Sequence, residues 1–173
     1  MEQFERPWSV PVAVEDIPET GGHYEFTADA ATREAVARLA GLRTLDRLDA
    51  VFDVSRRVEG AAVRGEVRAR VGQNCVVTLE PIDSDIHQTV DLSFAPSAGP
   101  ADEAPISRHG RPIDEPPEPL EGDTIDLGAI ATEFLILALD PYPRKPGAEF
   151  VIASEDGEGD SPFKALAALK KQS

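Results

Sequence analysis

A single cysteine, Cys75, occurs in 173 residues. No intramolecular disulfide can form, which fits a reducing compartment. Only 3 histidines are present, and His23, His87 and His109 have no Cys or second His at metal-ligand spacing. Exposed histidine is the plain reading of each. Cys75 has no neighbouring His or Lys in sequence to lower its pKa, so a buried, inert thiol is expected. No Gly-rich phosphate loop precedes a helix, and no nucleophile elbow is present. Carboxylate pairs such as Asp83 and Asp85 are unavoidable in so acidic a chain and carry little weight. An enzyme is therefore unsupported, and no cofactor or metal is expected. The longest apolar run falls short of the ~20 residues a membrane span needs. The N-terminus, MEQFERPWSVPVAVED, has acids and prolines where a secretory signal needs basic residues and an apolar run. These absences point to a soluble, cytoplasmic protein with no membrane partner, of a size that can bury one core without staples.

Basic residues are also scarce, and the net charge is -15. Such a chain repels phosphates through its overall field, so non-specific nucleic-acid binding is disfavoured. The charge is uneven. Between Arg33 and Arg70 nine Arg face six acids (Glu34, Asp46, Asp49, Asp53, Glu59, Glu66), so this window carries +3 and the remainder -18. A local basic face inside an acidic molecule keeps an RNA reading open beside a basic protein partner.

What the chain does have is a helical block and three long alternating runs. From Asp123 to Pro146 the sequence reads DTIDLGAIATEFLILALDPYPRKP. Leu127, Ile130, Ala131, Phe134, Leu135 and Ala138 recur at helical spacing. Ile136, Leu137 and Leu139 fill most of the rest. Asp126 is placed to cap the start, and Pro141 stops the helix. With Thr132 and Glu133 the only polar interior positions, this core helix is expected to be nearly surrounded by protein.

The alternating runs predict strands. Leu48, Ala50, Phe52 and Val54 share one face, as do Ala61, Val63, Gly65, Val67, Ala69 and Val71 in the next run. Arg64, Glu66, Arg68 and Arg70 take the opposite face of that second run. Ile82, Ile86, Val90, Leu92 and Phe94 share a face in the third. With a hairpin turn at Glu59-Gly60, these three form an antiparallel meander with one wet face. Upstream, residues 7–14 predict an edge strand, 23–28 a second strand, and Asp29–Ala40 a capped helix with a Thr32, Val36, Leu39 stripe. Gly41 supplies its left-handed stop.

Pro-rich, acidic residues from about 96 to 121 predict a mobile loop. After a brief strand, a flexible tether at about 154–161 leads to a short C-terminal helix. That helix carries Phe163, Leu166 and Leu169 as its apolar stripe. The fold class is α+β: one domain over 1–173, with an antiparallel sheet free to curl toward a barrel, packed by one long core helix plus short helices.

Two groups stand out as candidate partner or RNA contacts. Arg64, Arg68 and Arg70 project from one strand face, where their forks suit phosphate oxygens and cross-strand carboxylates equally well. Tyr142, Arg144 and Lys145 follow the core helix in a proline-stiffened corner. There they either lock the helix end or meet a partner.

The segment Gln73-Asn74-Cys75-Val76-Val77-Thr78-Leu79-Glu80-Pro81 lies between two antiparallel strands. It is followed by the acidic loop, by Ile125-Asp126-Leu127 opening the helix, and by the ending Ser161-Pro162-Phe163-Lys164-Ala165-Leu166-Ala167-Ala168-Leu169-Lys170. In this order the pieces resemble the YceD family, bacterial and plastid proteins of large ribosomal RNA subunit accumulation, over about Pro7 to Lys171. Many members carry C-x-R-C-L at the strand junction. Here Val77 replaces the Arg and Thr78 the second Cys, so no paired-cysteine metal or redox site can exist. The resemblance implies a non-enzymatic role in ribosome biogenesis, in accumulation or processing of large-subunit ribosomal RNA. A basic ribosomal protein or assembly factor is the favoured direct partner, and precursor large-subunit rRNA the alternative.

Overall fold

The computed structural model describes residues 6–58, 60–96, 117–120 and 122–149. The expected C-terminal helix, the tether before it and most of the acidic loop lie outside these residues, as do Glu59 and His109.

Strand β1 (Pro11–Ala13) leads through a 3-10 turn (Val14–Asp16) into β2 (Gly22–Thr27), helix α1 (Ala30–Leu39) and strand β3 (Thr44–Arg57). Then come β4 (Gly60–Asn74), β5 (Pro81–Pro96), two short strands β6 (Glu118–Leu120) and β7 (Thr124–Asp126), and helix α2 (Leu127–Ala138). The main sheet has the order β2-β3-β4-β5-β6, and β1 pairs with β7 in a separate two-stranded sheet. Strands β2 to β5 are antiparallel neighbours, whereas β6 joins β5 in parallel. The class is α+β, as expected.

The sheet does not close into a barrel. Among the described residues its edge strands, β2 and β6, pair only inward. The end of the proline-rich segment is ordered as β6, with Glu118, Pro119 and Leu120 set beside Phe94, Ala95 and Pro96.

Alternation along the three long strands sorts them into two faces. Leu48, Ala50, Phe52 and Val54 of β3 are buried, and so are Val63, Val67, Ala69 and Val71 of β4. A bulge at Asp46 lets Leu45 join Leu48 in the core although the two are three apart. Trp8 packs edge-on against Phe26 at 5.0 Å between centroids, and Phe26 lies 5.9 Å from Phe52. This aromatic row closes the inner face beneath the N-terminal segment.

Helix α1 starts at Asp29, whose carboxylate accepts from the Thr32 N–H. It packs on β3 through Val36 and Ala37, with Leu42 continuing the apolar contact beyond the helix. Leu39, expected in the stripe, is 54% exposed. The turn at Ala37–Leu42, closed by the Leu42 N–H on the Ala37 carbonyl, carries the chain away before Leu39 reaches the sheet.

Helix α2 is not the single long, surrounded rod the sequence suggests. It has 12 residues against 10 in α1. Leu127, Ile130, Ala131 and Leu135 are buried, but Glu133, Ile136 and Leu137 face solvent. α2 packs on β4, β5 and β1, and Glu133, Ile136 and Leu137 lie on the part of its surface left exposed. Thr132, buried within the helix, donates its hydroxyl to the Gly128 carbonyl.

Asp126 fixes how α2 enters the fold. Its Oδ1 accepts from the N–H groups of Gly128 and Ala129 at 3.1 Å and from Val10 N–H at 2.8 Å. Its Oδ2 accepts from the Ser9 hydroxyl at 2.8 Å. A side chain on Gly128 would meet the Trp8 carbonyl at 2.8 Å, so the N-terminal segment lies against the helix backbone there.

Candidate functional site

The outer face of β3, β4 and β5 is charged along its length. Register sets Arg64 opposite Asp91 and Arg70 opposite Asp85. Arg64 Nε donates to Asp91 at 3.0 Å, and Arg70 Nη1 to both Asp85 oxygens at 3.0 Å. Arg68 pairs with Glu66 of its own strand, and Glu66 also contacts His87 Nε2 at 2.5 Å. The hydrogen bond from His87, with the charge of Arg68 in support, holds the Glu66 carboxyl below its ordinary range. Arg43 donates to Asp83 at 2.6 Å, and Arg47 pairs with Asp49. The three arginines singled out from the sequence thus share one face, each with a carboxylate in contact. A phosphate would have to compete with that carboxylate for the same guanidinium.

Tyr142, Arg144 and Lys145 form a second group, and among the described residues no hydrogen bond or ion pair joins it to the first. The segment after α2 is bound to the turn between β4 and β5. Gln73 Nε2 donates to the Asp140 carbonyl at 2.9 Å, and Val76 N–H to the Pro143 carbonyl at 2.9 Å. Lys145 Nζ donates to Glu80 at 3.0 Å, and this contact, with Thr78 adding to it, lowers the Glu80 carboxyl below its usual range. Lys145 therefore staples two loops rather than reaching outward. Tyr142 is 72% exposed, and Arg144 has no acidic partner among the described residues.

Cys75 lies at the centre of that staple. It is fully buried, as expected of an unreactive thiol. Its electrostatics differ from expectation. The Sγ accepts from the N–H groups of Lys145, Val77 and Thr78, each at 3.4 Å. The Lys145 N–H, then the Thr78 contacts, outweigh burial and lower the thiol to about 6. The first donor stands 70 positions away in the chain, which is why no neighbour in sequence signals it. Next to it, Leu79 takes φ +61° with its side chain 76% exposed. Val76, Leu79 and Tyr142 thus present apolar surface around a braced corner.

A groove that the sequence does not reveal runs along the open side of α2. Its floor includes Leu92 and Phe94 of β5, Leu120 of β6, and Ile130, Phe134 and Leu137 of α2. Glu118 and Glu133 stand on its rim, with no hydrogen-bonding or ionic partner among the described residues. A helix that is apolar on nearly every side in a chain with few other elements to cover it is the signal that could have found it. No group of three or more His, Cys, Asp or Glu suited to a metal occurs among the described residues. No described helix is long and apolar enough to cross a membrane.

With this geometry in place, residues 63–170 match the family described as large ribosomal RNA subunit accumulation protein YceD. The chain belongs to the YceD family. The match takes in β4 from Val63 onward, β5, the staple around Cys75, the acidic segment, α2 and the C-terminal residues through Lys170. No curated protein and no solved structure matches the chain. Membership of the YceD family connects the fold to large-subunit ribosomal RNA accumulation, and that description names no reaction.

Proposed function

We propose that this chain is a non-enzymatic ribosome-biogenesis factor. It supports accumulation or processing of large-subunit ribosomal RNA by holding a basic ribosomal protein or assembly factor. The observation that carries the choice of partner is the pairing of Arg64, Arg68 and Arg70 with Asp91, Glu66 and Asp85. Five of the nine arginines in the basic window, Arg43, Arg47, Arg64, Arg68 and Arg70, are already held by carboxylates, and the chain as a whole carries a net charge of -15. Residues 97–121 add the acids Asp102, Glu103, Asp114, Glu115, Glu118 and Glu121 to that negative charge, and Tyr142 offers an aromatic contact beside Arg144. Direct binding of precursor rRNA through the arginine face would require breaking those pairs against an unfavourable field.

The test is capture of partners from a lysate before and after RNase. A basic ribosomal protein or assembly factor retained after RNase, and lost when the acids of 97–121 are neutralised, supports the proposal. Capture abolished by RNase, and by an Arg64→Glu, Arg68→Glu double variant with a steep salt dependence, overturns it in favour of direct RNA contact.

A further inference from the structure

The groove beside α2 has chemistry that the chain itself matches. Its floor is apolar, and Leu137 is 69% exposed along it. Glu118 and Glu133 are among its lining residues, as are Arg6 and Asp126, which pair with each other at 3.8 Å and leave the two glutamates as its unpaired charges among the described residues. It asks for a short element with one greasy stripe and positive charge at the margins, and residues 161–171, SPFKALAALKK, have that composition. Phe163, Leu166 and Leu169 recur every three residues, so in a helix they share a face. Lys164, Lys170 and Lys171 are its only charged residues.

We propose that this C-terminal segment, which lies outside the described residues, is the occupant of the α2 groove within the same molecule. Two turns of helix are marginal in water without a surface to lie on. Reach is sufficient. Residues 150–160 separate Glu149 from Ser161. Extended, they span about 36 Å, comparable to the roughly 35 Å breadth of a compact domain this size. A tether of that length also gives an effective concentration on the order of millimolar. Three apolar anchors and two charge pairs therefore suffice to hold the segment even when the untethered affinity is weak. This is helix-in-groove recognition carried out in cis.

The experiment compares amide resonances of the full chain with those of a Leu166→Asp, Leu169→Asp variant at several protein concentrations. Shifts are expected at Leu92, Phe94, Ala129, Glu133 and Leu137, independent of concentration. The outer-face residues Arg64 to Arg70 should not move. A synthetic peptide of residues 159–173, added to the variant at millimolar excess, should return the groove resonances toward their original positions. The reciprocal change, Leu137→Asp, alters an exposed side chain and should shift the amides of Phe163 to Lys171.

Unchanged groove resonances, or changes confined to another surface, overturn the proposal, as do changes that grow with protein concentration and so report exchange between two copies. Each measurement uses the isolated chain. A negative result therefore leaves partner capture to be judged separately by the RNase experiment.

Discussion

Gly65 stands directly opposite Phe52 in the central strand pair, and the Phe52 ring occupies the space its side chain would need. A Cβ built there would lie 1.9 Å from the Val51 carbonyl oxygen and 2.8 Å from the ring edge. The nearer obstacle is backbone, which cannot swing aside as a side chain can. Gly65→Ala is therefore expected to destabilise the fold by about 3 kcal/mol, at the upper end of ordinary overpacking costs. Trimming the ring with Phe52→Leu should recover little, because the carbonyl remains. Urea unfolding of both variants decides this: stability equal to the parent would mean the strands are farther apart than described.

Asp126 joins two chain segments that are distant in sequence. It caps α2 through Gly128 and Ala129 and holds the N-terminal segment through Ser9 and Val10. Removing a cap alone costs about 1 kcal/mol, and losing the second set of bonds brings the expected cost of Asp126→Ala to about 2 kcal/mol. Asp126→Asn keeps an acceptor oxygen for the cap and should cost less. Hydrogen exchange would localise the effect: amides of Val10 and Leu127 should lose protection together in Asp126→Ala. Loss at Leu127 alone would show that the N-terminal segment is held by other contacts.

The ion pairs of the outer face contribute little to stability. Arg64 and Asp91 are 64% and 66% exposed, so water screens both partners. Arg64→Ala and Arg70→Ala should each shift stability by less than about 1 kcal/mol, with smaller differences at high salt. Thermal unfolding at two salt concentrations checks this. A large loss would mean that the face is structural, and that charge reversals there cannot be used to probe partners.

Strand periodicity was the most legible feature of the chain. A period of two in β3, β4 and β5 placed Phe52, Val63 and Val67 inward and Arg64, Arg68 and Arg70 outward, because one buried face fixes register. Asp29 and Asp126 were legible as caps because a carboxylate before an apolar stripe has one efficient use. Leu39 and Leu137 were not legible as exposed. An apolar residue in a helix signals burial only if something lies against it, and pattern alone does not show where the neighbouring layer stops. β6 was hidden because parallel pairing across a long excursion leaves no local mark in Glu118-Pro119-Leu120. The candidate contacts were legible as residues but not as groups: nothing in spacing shows that Asp91 and Asp85 fall opposite Arg64 and Arg70, or that Lys145 turns back to Glu80.

The thiol of Cys75 supplies a pH dependence whose direction can be worked out. Its ordinary value is 9.0, and the folded chain holds it at about 6. The thiolate is thus favoured by the native structure. A depressed acid contributes stability that is fully present above the unfolded value and is lost as pH falls through the folded one. The urea midpoint of the parent chain should therefore rise between pH 6 and 9 more steeply than that of Cys75→Ser, which differs only in lacking the thiol. Lys145→Pro removes the first of the three N–H donors and should move the thiolate titration upward, with a correspondingly later rise in stability. Thiolate absorbance, read alongside the midpoints, separates the charge from any packing change. Equal pH slopes in the parent and Cys75→Ser, with no thiolate signal until the ordinary range, would mean that burial overrides the three donors and that the staple is held by Lys145, Glu80 and the backbone alone.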